Sequence, residues 1–143
     1  MKKFLPLALS LALAATLFSA CASQKSLYPL DGKWMVESIG TTPVKASAET
    51  TPYLLFRLNE QQLNGYSGCN NLASALDMNA LKKGKLTFPR MAATLRLCPD
   101  AAHEQAFLAA LDKVRSYKLD GATLRLCDEA GKPLVSLKKQ AAE

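Results

Sequence analysis

Short runs of alternating apolar and polar residues dominate the chain after its first twenty positions. A period of two puts successive side chains on opposite faces of a strand, so it marks half-buried β-structure. Tyr53 to Leu58 shows it best: Leu54, Phe56 and Leu58 share one face, and Tyr53, Leu55 and Arg57 share the other. Lys33 to Ile39, with Trp34, Val36 and Ile39, predicts an earlier strand that breaks at Gly40-Thr41-Thr42-Pro43 and is followed by a loop to Pro52. Gln62 to Ser67 predicts a third strand after the polar turn Asn59-Glu60-Gln61. It runs into Gly68-Cys69-Asn70-Asn71, where glycine and asparagine accept the backbone angles of a sharp corner. Ala73 to Met78 fits a helix by composition and a strand by length and flanks. Lys85 to Phe88 predicts a short strand between the turn Lys82-Lys83-Gly84 and Pro89.

Beyond Pro99 the period changes. Proline suits a first helical turn and aspartate complements a helix N-terminus, so Pro99 or Asp100 is the expected start. Ala101 to Val114 then contains no breaker, and Phe107, Leu111 and Val114 form one apolar stripe with Leu108 beside it. Laid on the sheet, Phe107 and Leu111 would each contribute roughly 1.5–3 kcal/mol before entropy is counted. Ser116 to Leu119, Asp120-Gly121 and Ala122 to Cys127 predict a hairpin with a type I′ turn and Leu124 and Leu126 inward. After a turn at Asp128-Glu129-Ala130-Gly131, Lys132 to Lys138 predicts the last strand, with Val135 and Leu137 on one face, and Lys139 to Glu143 a frayed tail. Seven or eight short strands and one helix predict a mainly β (α+β) domain. Its sheet would be antiparallel and curled into a barrel or half-barrel, closed or plugged by the helix.

The N-terminus changes the compartment. Lys2 and Lys3 precede an uncharged run from Phe4 to Phe18, which leads into Ser19-Ala20-Cys21. A positive segment, an apolar segment and small residues before a cut make residues 1–20 a secretory signal peptide. The run is shorter than the ~20 residues that span a bilayer comfortably. Small residues before Cys21 resemble the lipobox of bacterial lipoproteins, with Phe18 departing from the usual leucine. The resemblance implies acylation of Cys21, and ordinary cleavage after Ala20 with a plain thiol is the alternative. Acyl chains contribute about 0.8 kcal/mol per buried methylene, so two or three hold a protein on a membrane almost irreversibly. Residues 21–29 then form a lipidated tether and 30–138 the domain. Ala22 and Ser23, with no aspartate after the cysteine, resemble outer-membrane sorting, with the domain in the periplasm or at the cell surface.

Loss of Lys2 and Lys3 with the signal lowers the formal charge from +6 to +4. The basic residues are scattered, whereas nucleic-acid binders concentrate them on one face, so no nucleic-acid partner is expected. A single histidine, and no CxxC or histidine-bearing metal spacing, leave no expected metal site or cofactor. Cys69, Cys98 and Cys127 are an odd number in a compartment that permits disulfides, so one stays unpaired or pairs with another chain.

From Leu30 to Leu137 the residues resemble the META/HslJ domain of bacterial envelope lipoproteins. The likeness rests on Leu30-Asp31-Gly32-Lys33-Trp34, on Gly65-Tyr66-Ser67-Gly68-Cys69-Asn70-Asn71 and on Ala93-Thr94 before Cys98-Pro99-Asp100. Glu104 with the Phe107 to Leu111 helix, and Leu124-Arg125-Leu126 with Gly131, complete it. The family usually has Thr-Arg-Met-Xaa-Cys where this chain has Thr94-Leu95-Arg96-Leu97-Cys98, so the arginine is displaced by one position. The resemblance implies a lipocalin-like antiparallel barrel with one helix, and a general association with heat and antibiotic stress, virulence or secretion. It implies no catalytic chemistry. The family-motif positions are Trp34, Gly68, Cys69, Asn70, Asn71, Thr94 and Cys98.

Cys69 and Cys98 occupy two of those positions and are expected to form one disulfide, leaving Cys127 over. The alternative is a pair of small buried thiols. Asn70 and Asn71 either present amides to a ligand or satisfy their own turn. His103 is the one imidazole able to serve a Cys98 nucleophile, against a plain exposed helix histidine. Trp34 is expected as a core anchor, and Tyr53, Tyr66 and Tyr117 either line a cavity or edge the sheet. The function expected is a non-enzymatic, lipid-anchored, monomeric envelope protein. Its partners would be the membrane, through its acyl chains, and an envelope protein or small apolar ligand. The alternatives are a lipid or small-ligand carrier and an inhibitor of a secreted protease.

Overall fold

The computed structural model describes residues 27–47, 49–99, 101 and 103–141. The expected signal peptide, Cys21 and most of the tether lie outside the described residues. The chain forms β1 (Gly32–Ile39), β2 (Thr42–Pro43), β3 (Tyr53–Arg57), β4 (Gln62–Tyr66), β5 (Asn71–Ala75) and helix α1 (Met78–Lys82). β6 (Ala92–Ala93), helix α2 (Glu104–Asp112), β7 (Ser116–Asp120), β8 (Thr123–Cys127) and β9 (Pro133–Lys139) follow. Every strand pairing is antiparallel, in the order β6-β5-β4-β3-β1-β9-β8-β7, with β2 paired to β1. First and last strands thus meet in the middle of one open, curled sheet, a half-barrel.

The alternation explains the core. Trp34 and Val36, Leu54 and Phe56, Leu63, Leu72, Leu124 and Leu126, and Val135 and Leu137 are all buried on the inner face. Helix α2 lies across β1 and β9 and adds Phe107 and Leu111, with Val114 buried just beyond it. Trp34 is completely buried, and its indole Nε1 donates to Leu30 O at 2.8 Å, which satisfies the one polar atom of an otherwise apolar anchor.

The strap from Lys85 to Ala93 holds the two edges of the sheet. Lys85 makes a single bridge to Ser116 of β7, Leu86 N donates to Arg115 O, and β6 pairs with β5. The strand expected at Lys85 to Phe88 is therefore absent: this stretch leaves β7 after one bridge in order to cross to β5. Its apolar positions still do their work, since Leu86 and Phe88 are buried.

Other expectations are corrected in the same way. Ala73 to Met78 divides, with Asn71–Ala75 a strand and a helix opening at Met78. Asp77 caps that helix by accepting from Asn79 N at 2.9 Å and Ala80 N at 3.0 Å. Helix α2 begins at Glu104, later than Pro99 or Asp100, because the chain after Cys98 passes through turn bonds such as Glu104 N to Ala101 O before Phe107 N reaches His103 O. The β7–β8 loop is Gly121-Ala122, with Asp120 still paired to Thr123. Gly121 has φ +55° and Ala122 has no positive φ, which matches a type II′ turn and not type I′. Lys139 belongs to β9, its ammonium donates to Pro29 O at 2.6 Å, and Gln140 N donates to Lys33 O, so the tail is held through residue 140.

Candidate functional site: a polar clamp on the 94–98 segment

At the end of β4 the chain turns through Ser67-Gly68-Cys69-Asn70 and returns as β5. Gly68 is required there on two counts. Its φ is +98°, and a Cβ would stand 2.9 Å from the Thr50 carbonyl oxygen. The turn is closed by Ser67 N donating to Asn70 O at 2.8 Å and by Asn70 N donating to Ser67 Oγ at 2.8 Å.

Asn70 is buried, and its amide uses all four of its hydrogen-bonding sites. Its Nδ2 donates to Glu104 Oε1 at 2.8 Å and to Arg96 O at 3.2 Å. Its Oδ1 accepts from Thr94 Oγ1 and from Arg96 N, both at 2.7 Å. The side chain therefore grips the backbone of Arg96 by both its N–H and its C=O, as a neighbouring strand would. Thr94 completes the grip: its N donates to Asn71 O, and its Oγ1 accepts from Asn71 N, each at 3.1 Å. Two residues on, Cys98 is joined to Cys69 by a disulfide of 1.97 Å, with the Cα atoms 5.9 Å apart.

Glu104 links this turn to the first residue of α2. Ser67 Oγ donates to Glu104 Oε1 at 2.5 Å, the same oxygen that receives Asn70 Nδ2. Those bonds, that from Ser67 first and that from Asn70 next, hold the Glu104 carboxyl below its ordinary range against a smaller opposing effect of burial. The carboxylate also sits in the first helical turn, where negative charge is favoured.

The side chains of the remaining candidate residues do not join the clamp. Asn71 contributes its backbone only, and its side chain is exposed. His103 precedes α2 without capping it through its side chain, and Cys98 is oxidised, so no Cys98 thiolate faces it. Cys127 is a buried free thiol, and burial pushes its pKa up, which makes it a poor nucleophile. Tyr117 donates to Leu81 O at 2.9 Å, and Tyr53 and Tyr66 pair at one end of the interior strands β3 and β4, their rings tilted by 32° with centroids 6.0 Å apart. Among the described residues no group of three or more His, Cys, Asp or Glu is placed to hold a metal ion. Among the same residues no helix is long and apolar enough to cross a membrane.

The family model of the META domain matches residues 26–141. The chain belongs to the META domain family. No curated protein matches it. A crystal structure of a DUF4847 family protein from Bacteroides vulgatus ATCC 8482 is similar in fold, with a TM-score of 0.51 at 14 % identity. The likeness covers 79 % of this chain and 95 % of that one.

In this META domain the motif positions fall into two groups. Gly68, Cys69, Asn70, Asn71, Thr94 and Cys98 converge on one corner, and Trp34 stands apart in the core. The displaced Arg96 enters the corner by its backbone alone. Ser67 and Glu104 were not singled out as site residues from the sequence, although both lie within the motif stretches. A serine three residues before an asparagine, and a glutamate opening the helix, are the signals that mark them.

Proposed function

We propose that this META domain is a non-enzymatic, lipid-anchored envelope protein that supports stress tolerance or secretion by binding a partner. One observation carries the reading. The buried polar groups of the motif corner are taken up by one another, with Asn70 fully bonded and Glu104 holding Ser67 and Asn70. Groups so engaged position a backbone and have no free capacity for proton transfer or nucleophilic attack. The interior supports binding at the surface over carriage of a ligand inside, since Trp34, Phe56, Phe107, Leu124 and Leu126 fill it completely buried. The most enclosed recess among the described residues, beside Leu27, Leu30, Leu81 and Tyr117, holds about 220 Å³, below the range of pockets that enclose a drug-sized ligand. Two larger ones, about 630 Å³ beside Val36, Val44 and Thr51 and about 370 Å³ beside Phe88 and Leu108, are open grooves on the surface. The signal segment and Cys21 support the anchor.

The test is complementation of a strain lacking the gene, read as survival under heat or an envelope-active antibiotic, with a fatty-acid analogue as label. The wild type should take up label and protect, and Cys21→Ala should do neither. Glu104→Gln, if folded and anchored, should protect as well as wild type. An unlabelled wild type defeats the anchor, and a folded, anchored but inactive Glu104→Gln defeats the non-enzymatic reading.

A further inference from the structure

Leu95 and Leu97 are 98 % and 101 % exposed, more than any other large apolar side chain among the described residues. They do not sit on a loose loop. Thr94 is bonded to Asn70 and Asn71, Arg96 is gripped by both backbone groups, and Cys98 is joined to Cys69. With positions 94 and 98 directed into the corner, the alternation of an extended chain directs 95 and 97 the other way. Arg96 stands between the two leucines and is itself exposed. The fold thus immobilises a short apolar prong, with the long, exposed cation of Arg96 leaving the same stretch on the side opposite the leucines, and such rigidity lowers the entropic cost of docking.

Two leucines offer a few hundred Å² of apolar surface, well short of the ~800 Å² per partner that a stable protein interface needs. A bilayer surface needs no complementary shape. It accepts leucine at the boundary of headgroups and acyl chains, and its anionic lipids attract arginine. The six residue-to-residue steps from Cys21 to Leu27 span at most about 20 Å when extended, so a tethered domain never leaves that surface.

We propose that Leu95, Arg96 and Leu97 form a wedge that docks on an anionic bilayer, giving the anchored domain a second contact and a fixed orientation. The inference rests on the lipid-anchored reading, and its test supplies the anchor artificially so that the two fail separately. The mature chain with Cys21→Ala and an N-terminal hexahistidine tag is held on vesicles of phosphatidylcholine and phosphatidylglycerol through a nickel-chelating lipid. Leu97→Trp is the reporter, doxyl-labelled lipid is the quencher, and the buried Trp34 is subtracted using the same chain without the reporter. Quenching of the reporter is expected, and it should fall about five-fold or more when Leu95→Ser and Arg96→Gln are added. An intact Cys69–Cys98 linkage and an unchanged melting temperature show that these exposed substitutions leave the fold alone. A reporter that is not quenched, or is quenched equally with and without Leu95→Ser and Arg96→Gln, overturns the proposal.

Discussion

Asn70→Asp tests the clamp with almost no change of shape. The substitution keeps the acceptor that meets Thr94 Oγ1 and Arg96 N but replaces the amide nitrogen with oxygen. That atom lies 2.8 Å from Glu104 Oε1 and 3.2 Å from Arg96 O, both acceptors. Two hydrogen bonds are lost at about 1 kcal/mol each, and a buried acceptor then faces acceptors at a further cost of about 1 kcal/mol or more. Repulsion between the two carboxylates adds to this and gives the effect its pH dependence. Near pH 7 the variant should be destabilised by about 3–4 kcal/mol, which for a domain of this size lowers the melting temperature by more than about 10 °C. Protonation of one carboxyl lets it donate to the other, so the folded pair binds a proton more tightly than the unfolded chain does. A raised folded-state pKa means that stability returns as pH falls through it, and near pH 4 the deficit should shrink to about 1–2 kcal/mol. Urea unfolding of both proteins at the two pH values, with the disulfide intact, measures it. A deficit below about 1 kcal/mol at neutral pH, or one that does not change with pH, would refute the assignment of all four amide bonds.

Glu104→Gln should also show a deficit that shrinks in acid, but because the wild type loses stability there and not because the variant regains it. The wild-type carboxyl is held below its ordinary range, so its stabilisation is present above the unfolded pKa and disappears as pH falls through the folded one. The variant should therefore be less stable at pH 7 and converge with wild type in acid, as read by paired denaturant titrations. Removal of the disulfide by Cys69→Ala with Cys98→Ala frees a loop of sequence separation 29 and should cost up to about 3.6 kcal/mol in urea unfolding. Peptide mapping should recover Cys69 linked to Cys98, while a maleimide should label Cys127 only after unfolding. Gly68→Ala should cost about 2 kcal/mol or more, since it combines a left-handed φ with a clash against the Thr50 carbonyl. Gly121→Ala, with nothing within 4 Å of the new Cβ, should cost less when both variants are unfolded in urea.

The sheet was legible in the sequence because one-sided burial writes itself as alternation. Trp34 and Val36, Leu54 and Phe56, Leu124 and Leu126, and Val135 and Leu137 all face inward as their spacing requires. What stayed hidden was set by tertiary context. Lys85 to Phe88 alternates like a strand, yet it crosses between two edges and pairs at one residue. Ala92–Ala93 has no pattern of its own and becomes a strand because β5 offers it a partner. Helix α1 is too short for a periodic signal and depends on the Asp77 cap. In the motif corner the sharp turn was visible from Gly68 and Asn70, and the pairing of Cys69 with Cys98 followed from the family motif. The grip of Asn70 on residues 94 to 96 was not visible. A side chain that replaces a strand partner across 26 positions leaves no local trace.

The same grip provides the most direct test of the account, through amide hydrogen exchange along residues 94 to 97. Arg96 N–H is bonded to Asn70 Oδ1 at 2.7 Å, whereas no partner for Leu95 or Leu97 N–H is found among the described residues. The account predicts slow exchange at Arg96 between two fast neighbours, with the protection at Arg96 lost in Asn70→Ala. Exchange at Arg96 as fast as at Leu95 and Leu97 in the wild type would contradict it.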